Sequence, residues 1–133
     1  MMNSKYKNNI IATIILLVLD FLWIKLFIGN LFGNMVKEIQ GSPIKLNNTY
    51  AFLAYFLMVV GLNHFVLPKI NLKNITAKDC FMNAFLFGII LYGVFDFTSA
   101  AIFNKWNSKT LTYDILWGGT VYFLSCYLLK FFN

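Results

Sequence analysis

Four long apolar runs, at about residues 10–32, 49–67, 80–103 and 110–132, occupy most of this 133-residue chain. Each has the length that a helix rising 1.5 Å per residue needs to cross a hydrocarbon core of about 30 Å. Short polar stretches separate them: GNMVKEIQGSPIKLNN, PKINLKNITAKD and NKWNSK. In lipid an open chain satisfies its backbone N–H and C=O groups only as helix, and short connections make successive helices antiparallel neighbours. The expected fold is therefore all-α: a single domain over residues 1–133, a polytopic membrane protein with four transmembrane helices in an up-down bundle. The alternating ten-residue strands of a membrane barrel are not seen. Hydrophobic residues make up 59% and charged residues 12% of the chain, against about 25% charged in soluble domains.

Inside these runs sit groups that lipid does not solvate. An acid at mid-bilayer costs about 3 kcal/mol on insertion scales, yet Asp20, Asp96 and Asp114 all fall within predicted spans. From helical rise, Asp20 lies about 15 Å up the first helix, Asp96 about 24 Å up the third, and Asp114 about 6 Å below the far end of the fourth. Those depths are compatible with one shared cluster. Residues three and four apart share a helix face. Tyr92 and Ser99 therefore line the Asp96 stripe, Trp23 that of Asp20, and Trp117 with Gly118 that of Asp114. Two simpler roles compete. Lys25, about 140° round the helix from Asp20, is placed to neutralise Asp96 or Asp114 or to snorkel outward. Asp114 is close enough to a helix start to satisfy free N–H groups there.

Other function classes are poorly served. The formal charge is +6, from eleven lysines and no arginine. The lysines are spread through tails and turns, so they read as headgroup anchors, not as a nucleic-acid surface. Without a ladder of intramembrane cations there is no voltage sensor. Cys80 and Cys126 are far apart, with no CxxC spacing, and are expected to be buried free thiols; neither a metal nor a cofactor is expected. GxSxG, HExxH and phosphate-loop motifs are missing. The first run carries Asp20 and lacks a small-residue cleavage site, so it reads as a retained span, not a signal peptide. His64, the only histidine, is placed near the end of the second run, where an interfacial role is commoner than a proton relay. Tyr50, Tyr55, Trp106, Tyr113 and Tyr122 are assigned to aromatic belts at the headgroups. With four spans both termini share a side. Lys5, Lys7, Lys69, Lys73, Lys78 and Lys130 on that side, against Lys37, Lys45, Lys105 and Lys109, favour a cytoplasmic location for both.

The motifs LDFLWIK and YGVFDFTSAAIFNKW…YDILWGG resemble the bacterial membrane protein family known as domain of unknown function 2177. The resemblance carries over to Asp20, Trp23, Tyr92, Asp96, Thr98, Trp106, Asp114, Trp117 and Gly118, and the opening of the second helix, Ala51 to Phe56, agrees as well. Phe95 stands where the family has tyrosine, Ser99 where it has asparagine, and Lys25 at a usually uncharged position. The resemblance implies a four-helix integral membrane protein and brings no activity with it.

Three functions remain open from sequence. The first is a small channel or transporter, in which Asp20 and Asp96 bind a proton or small cation and two or more copies enclose the path. The second is a lipid-modifying enzyme with Asp96 and Asp114 as an acid–base pair. The third is an assembly subunit whose acids lock the bundle.

Overall fold

The computed structural model describes residues 4–133. Four helices account for most of it: α1 Ser4–Gln40, α2 Asn48–Lys69, α3 Ala77–Ile102 and α4 Ser108–Tyr127, the last continued by a 3₁₀ turn at Leu128–Phe131. No strand occurs among the described residues. Polar side chains open three of the helices. Asn47 accepts from the Tyr50 N–H, Thr76 from Asp79, and Asn107 from Lys109 and Thr110, each satisfying donors that a first helical turn leaves free.

Contacts fix the up-down order. Lys7 on α1 donates to the Phe132 carbonyl at 3.1 Å, so the two ends of the chain share one end of the bundle. At the other end Lys105, in the α3–α4 turn, donates to the Glu38 carbonyl at 3.4 Å. Between these limits α1 runs antiparallel to α2, with Asn63 bonded to Thr13 and Tyr55 to Asp20. It also runs antiparallel to α4, on which Trp117 meets Trp23.

The first helix is longer than the sequence suggested. A loop with at most one interfacial turn around Met35 to Gln40 was expected from residue 33, but α1 continues as unbroken helix to Gln40, 37 residues in all, or about 55 Å. Gly33 and Asn34 do not break it, because the extension has something to pack on. The buried Met35 takes the Asn107 N–H on its sulfur at 3.1 Å, and Phe32 stands edge-on to Trp106 at 5.8 Å. The stop comes at Gly41, whose φ of 76° is left-handed and whose N–H caps the Lys37 carbonyl. Pro68 closes α2 within a 3₁₀ turn at Leu67–Lys69.

Three of the helices are long and apolar enough to cross a bilayer by length and composition: α1, α2 and α3. The fourth is less apolar, and its position explains why. Thr110, Asp114, Gly118, Gly119, Val121, Tyr122, Ser125 and Cys126 are all buried, so α4 faces its neighbours over much of its circumference. The other helices turn large side chains outward, such as Leu26, Phe52, Leu57, Ile90 and Phe97, as a lipid-facing surface requires. The apolar core fills the half of the bundle nearest the termini, with Ala12, Leu16, Leu62, Val66, Ala84, Val121 and Leu129 in one cluster. Cys80 and Cys126 lie in it as free, buried thiols.

The α3–α4 hairpin is held close by glycine. A Cβ at Gly88 would run into the Gly118 carbonyl, and one at Gly119 would stand 2.7 Å from the Phe85 ring. Gly93 is different: a Cβ there would meet only its own helix's Phe97, at 3.9 Å. Gly88→Ala is therefore expected to lower stability by about 1–3 kcal/mol, the usual range for overpacking, while Gly93→Ala is tolerated. Thermal unfolding of the purified variants in detergent separates the two.

Candidate functional site

Every fourth residue on one face of α1 is buried: Asn8, Ala12, Leu16 and then Asp20. The pattern that drives the first three inward carries the carboxylate inward with them. There it meets a donor from each of the other three helices. Tyr55 of α2 donates its hydroxyl to Asp20 Oδ2 at 2.7 Å. Tyr92 of α3 donates to Oδ1 at 3.2 Å, and the Trp117 indole of α4 donates to the same oxygen at 2.9 Å. A carboxylate offers about four acceptor positions, so three are filled. Trp23, one turn on from Asp20, stacks on Trp117 with centroids 4.7 Å apart and planes within 7°, which fixes the indole that serves the acid.

Asp96 and Asp114 form a second unit beside it. Asp96 is fully enclosed and Asp114 is 8% exposed. The two carboxyls are neighbours across the α3–α4 hairpin. An ionised carboxylate only accepts, so a hydrogen bond between the two would need a proton on one of them. Trp106, in the turn, donates its indole N–H to Asp96 Oδ1 at 3.3 Å. The other Asp96 oxygen, Oδ2, is buried with no hydrogen-bond partner. Tyr92 links the two units, since it sits one turn from Asp96 on α3 and bonds to Asp20. Its ring lies directly over Gly118, where a Cβ would collide with it.

The three acids proposed from sequence thus converge, with Tyr92, Trp23 and Trp117 among them. Ser99 is buried one turn beyond Asp96. Lys25 does not join them. It is exposed, in a π-helical turn at Ile24–Ile28, and its ammonium lies 5.7 Å over the Phe21 ring of its own helix. Lys25 lies about 140° round the helix from the buried Asp20 stripe, and so faces the lipid side. Asp114 is not a helix-start residue either, because α4 begins at Ser108 under the Asn107 cap. His64 is exposed and edge-on to Phe65, away from the acids.

Two partners were misplaced by sequence reasoning. Tyr55 and Trp106 were assigned to headgroup belts, yet both donate to buried acids. For Tyr55 the signal was depth: it lies seven residues into a helix starting at Asn48, about 10 Å beyond the helix start. For Trp106, in a turn, only the family motif pointed inward. Tyr122 is fully buried and donates to the Met58 carbonyl at 2.8 Å, while Tyr50 stays exposed. Among the described residues no group of three or more His, Cys, Asp or Glu is arranged to hold a metal ion.

Lipid-facing helices around an interior set of carboxylates define an integral membrane protein of the all-α class. Residues 6–129 match the family model described as predicted membrane protein (DUF2177), and the chain belongs to that family. No curated protein and no solved structure matches it.

Replacing Asp20 with alanine leaves three donors without an acceptor, each at about 1–3 kcal/mol if unsatisfied. Asp20→Ala is expected to be the most destabilising change in the cluster, well beyond Tyr55→Phe, which removes one donor of three. Lys25→Ala should leave the melting temperature in detergent unchanged. Equal losses for Asp20→Ala and Lys25→Ala would contradict the geometry described.

Proposed function

We propose that this is a small proton- or cation-handling membrane protein, a channel or transporter, whose exchanging site is the Asp96–Asp114 pair. The observation that carries the reading is the burial of two neighbouring carboxyls, which could hydrogen-bond to each other only by sharing a proton. A cation entering the pair would displace that proton, so the two ligands compete for one site. Asp96 Oδ2, enclosed and without a hydrogen-bond partner, is the acceptor that such an exchange would use first. Asp20 serves differently. Its oxygens are taken by three fixed donors, so it positions the helices around the pair. Four helices of this length enclose little space, and two or more copies are needed to line a path through the bilayer. The lysine excess at the end shared by the termini supports a cytoplasmic location for that end.

The saturation of Asp20 also favours a second reading, in which the whole cluster is architectural. The two readings separate in proteoliposomes loaded with a pH-sensitive dye. Asp96→Asn and Asp114→Asn are each expected to abolish pH-dependent flux while retaining the wild-type helical circular dichroism. If flux persists in both and only stability falls, the architectural reading stands and the transport reading is lost. Infrared spectroscopy gives an independent check. A protonated-carboxyl C=O band should be present in the wild type at neutral pH and vanish in Asp96→Asn.

A further inference from the structure

The opposite end of the bundle carries a cleft that the acids do not use. It has a volume of about 670 Å³ and lies where the start of α1 meets the α2–α3 connection, lined among others by Asn8, Asn9, Asn63, Asn71, Lys5 and Lys73. A second hollow of about 310 Å³ continues from it along α1, past Ile10, Thr13 and Ile14, and shares Asn9 and Asn63 with the first. Both volumes are in the range of about 300–1,000 Å³ typical of small-molecule sites. The polar part sits at the level of the lysines that end the bundle, and the apolar part climbs toward the bilayer interior.

One side chain in the polar part is not satisfied by the protein. Asn8 is 3% exposed, and its Oδ1 is buried with no hydrogen-bond partner. A buried amide oxygen left in that state costs about 1–3 kcal/mol, so it calls for a donor from outside the chain. The neighbours are already committed in complementary ways. Asn63 spends its amide N–H groups on Thr13 Oγ1 and the Val59 carbonyl, and Asn71 spends its oxygen on the Lys73 N–H. That leaves the Asn71 amide and the Lys73 ammonium as donors to an anion, and Asn8 Oδ1 as an acceptor for a hydroxyl.

We propose that this cleft seats a membrane glycerophospholipid with an anionic, hydroxyl-bearing headgroup, of which phosphatidylglycerol is the simplest. The phosphate lies against Lys73 and the Asn71 amide. The headgroup hydroxyl donates to Asn8 Oδ1, and an acyl chain follows the groove past Ile10 and Ile14. An acidic headgroup matches the basic end of the bundle, a hydroxyl matches the orphaned oxygen, and a tail matches the apolar continuation. A zwitterionic choline headgroup meets neither polar requirement, since it has no net negative charge and no donor. The site goes beyond the transport reading and does not depend on the acid pair.

Native mass spectrometry of the delipidated full chain, titrated with phosphatidylglycerol or phosphatidylcholine of the same acyl chains, tests it. The wild type is expected to retain phosphatidylglycerol preferentially. Lys73→Gln and Asn8→Leu should each weaken that retention about tenfold, the scale of one hydrogen bond to a charged group. Ile14→Trp, which fills the groove, should weaken it without touching the headgroup contacts. Asp96→Asn should leave it unchanged, so loss of flux and loss of lipid are read separately. Equal retention of the two lipids would overturn the proposal, as would unchanged selectivity in Lys73→Gln, an exposed position where misfolding is not at issue. Competition by glycerol phosphate at equal concentration would also overturn it, by making a free phosphate ester the occupant.

Discussion

The bundle depends on one carboxylate and the three donors that reach it. Asp20 lies on the stripe of α1 that packs inward, where an unpaired acid would be heavily disfavoured. Tyr55, Tyr92 and Trp117 come from the three other helices, so a single side chain ties all four together at one height. Direction matters as much as number. Hydrogen bonds have narrow geometry, whereas apolar contact between helices in lipid tolerates sliding because the tails are as apolar as the side chains. The Asp20 node therefore sets register. The glycines of the α3–α4 hairpin are a consequence: Gly118 has no side chain because the Tyr92 ring must lie there to reach the acid.

The two halves of the bundle are built on different principles. Toward the termini the interior is apolar, with Leu16, Leu62, Val66 and Leu129 in contact. Toward the α3–α4 turn it is carboxylates, phenols and indoles. The overhang of α1 belongs to the second half, since Phe32 and Met35 brace the turn that carries Trp106 to Asp96. Removing the overhang would loosen a donor to the acid pair without touching either acid.

Much of this was legible in the sequence, and what was missed has physical causes. Apolar run length gave four helices and their order, and the improbability of acids in lipid gave Asp20, Asp96 and Asp114 as interior residues. Helical spacing placed Tyr92, Trp23 and Trp117 with them. Boundaries failed where a tertiary contact overrode local signals, as at Gly33, where helix continues because Met35 has a place to be buried. For Lys25, helical angles left pairing with an acid and snorkelling outward both open, and the structure has it exposed over Phe21. Tyr55 and Trp106 were sent to the interface by a statistical habit of aromatic residues that ignores which hydroxyl or indole has an acceptor nearby. The Asn8 cleft left no trace, because a void between loops and helix ends is a property of packing and not of any run of residues.

The modest hydropathy of α4 bears on how the protein reaches its membrane. A segment holding Asp114, Ser125 and two adjacent glycines gains little from lipid alone, and its polar face is comfortable only against α3 and α1. Its partner α3 is made immediately before it and is joined to it by a turn of a few residues. The close α3–α4 packing is thus what makes α4 comfortable in the bilayer. The arrival of α4 completes the acid cluster, because Asp114 and Trp117 come in together on that helix.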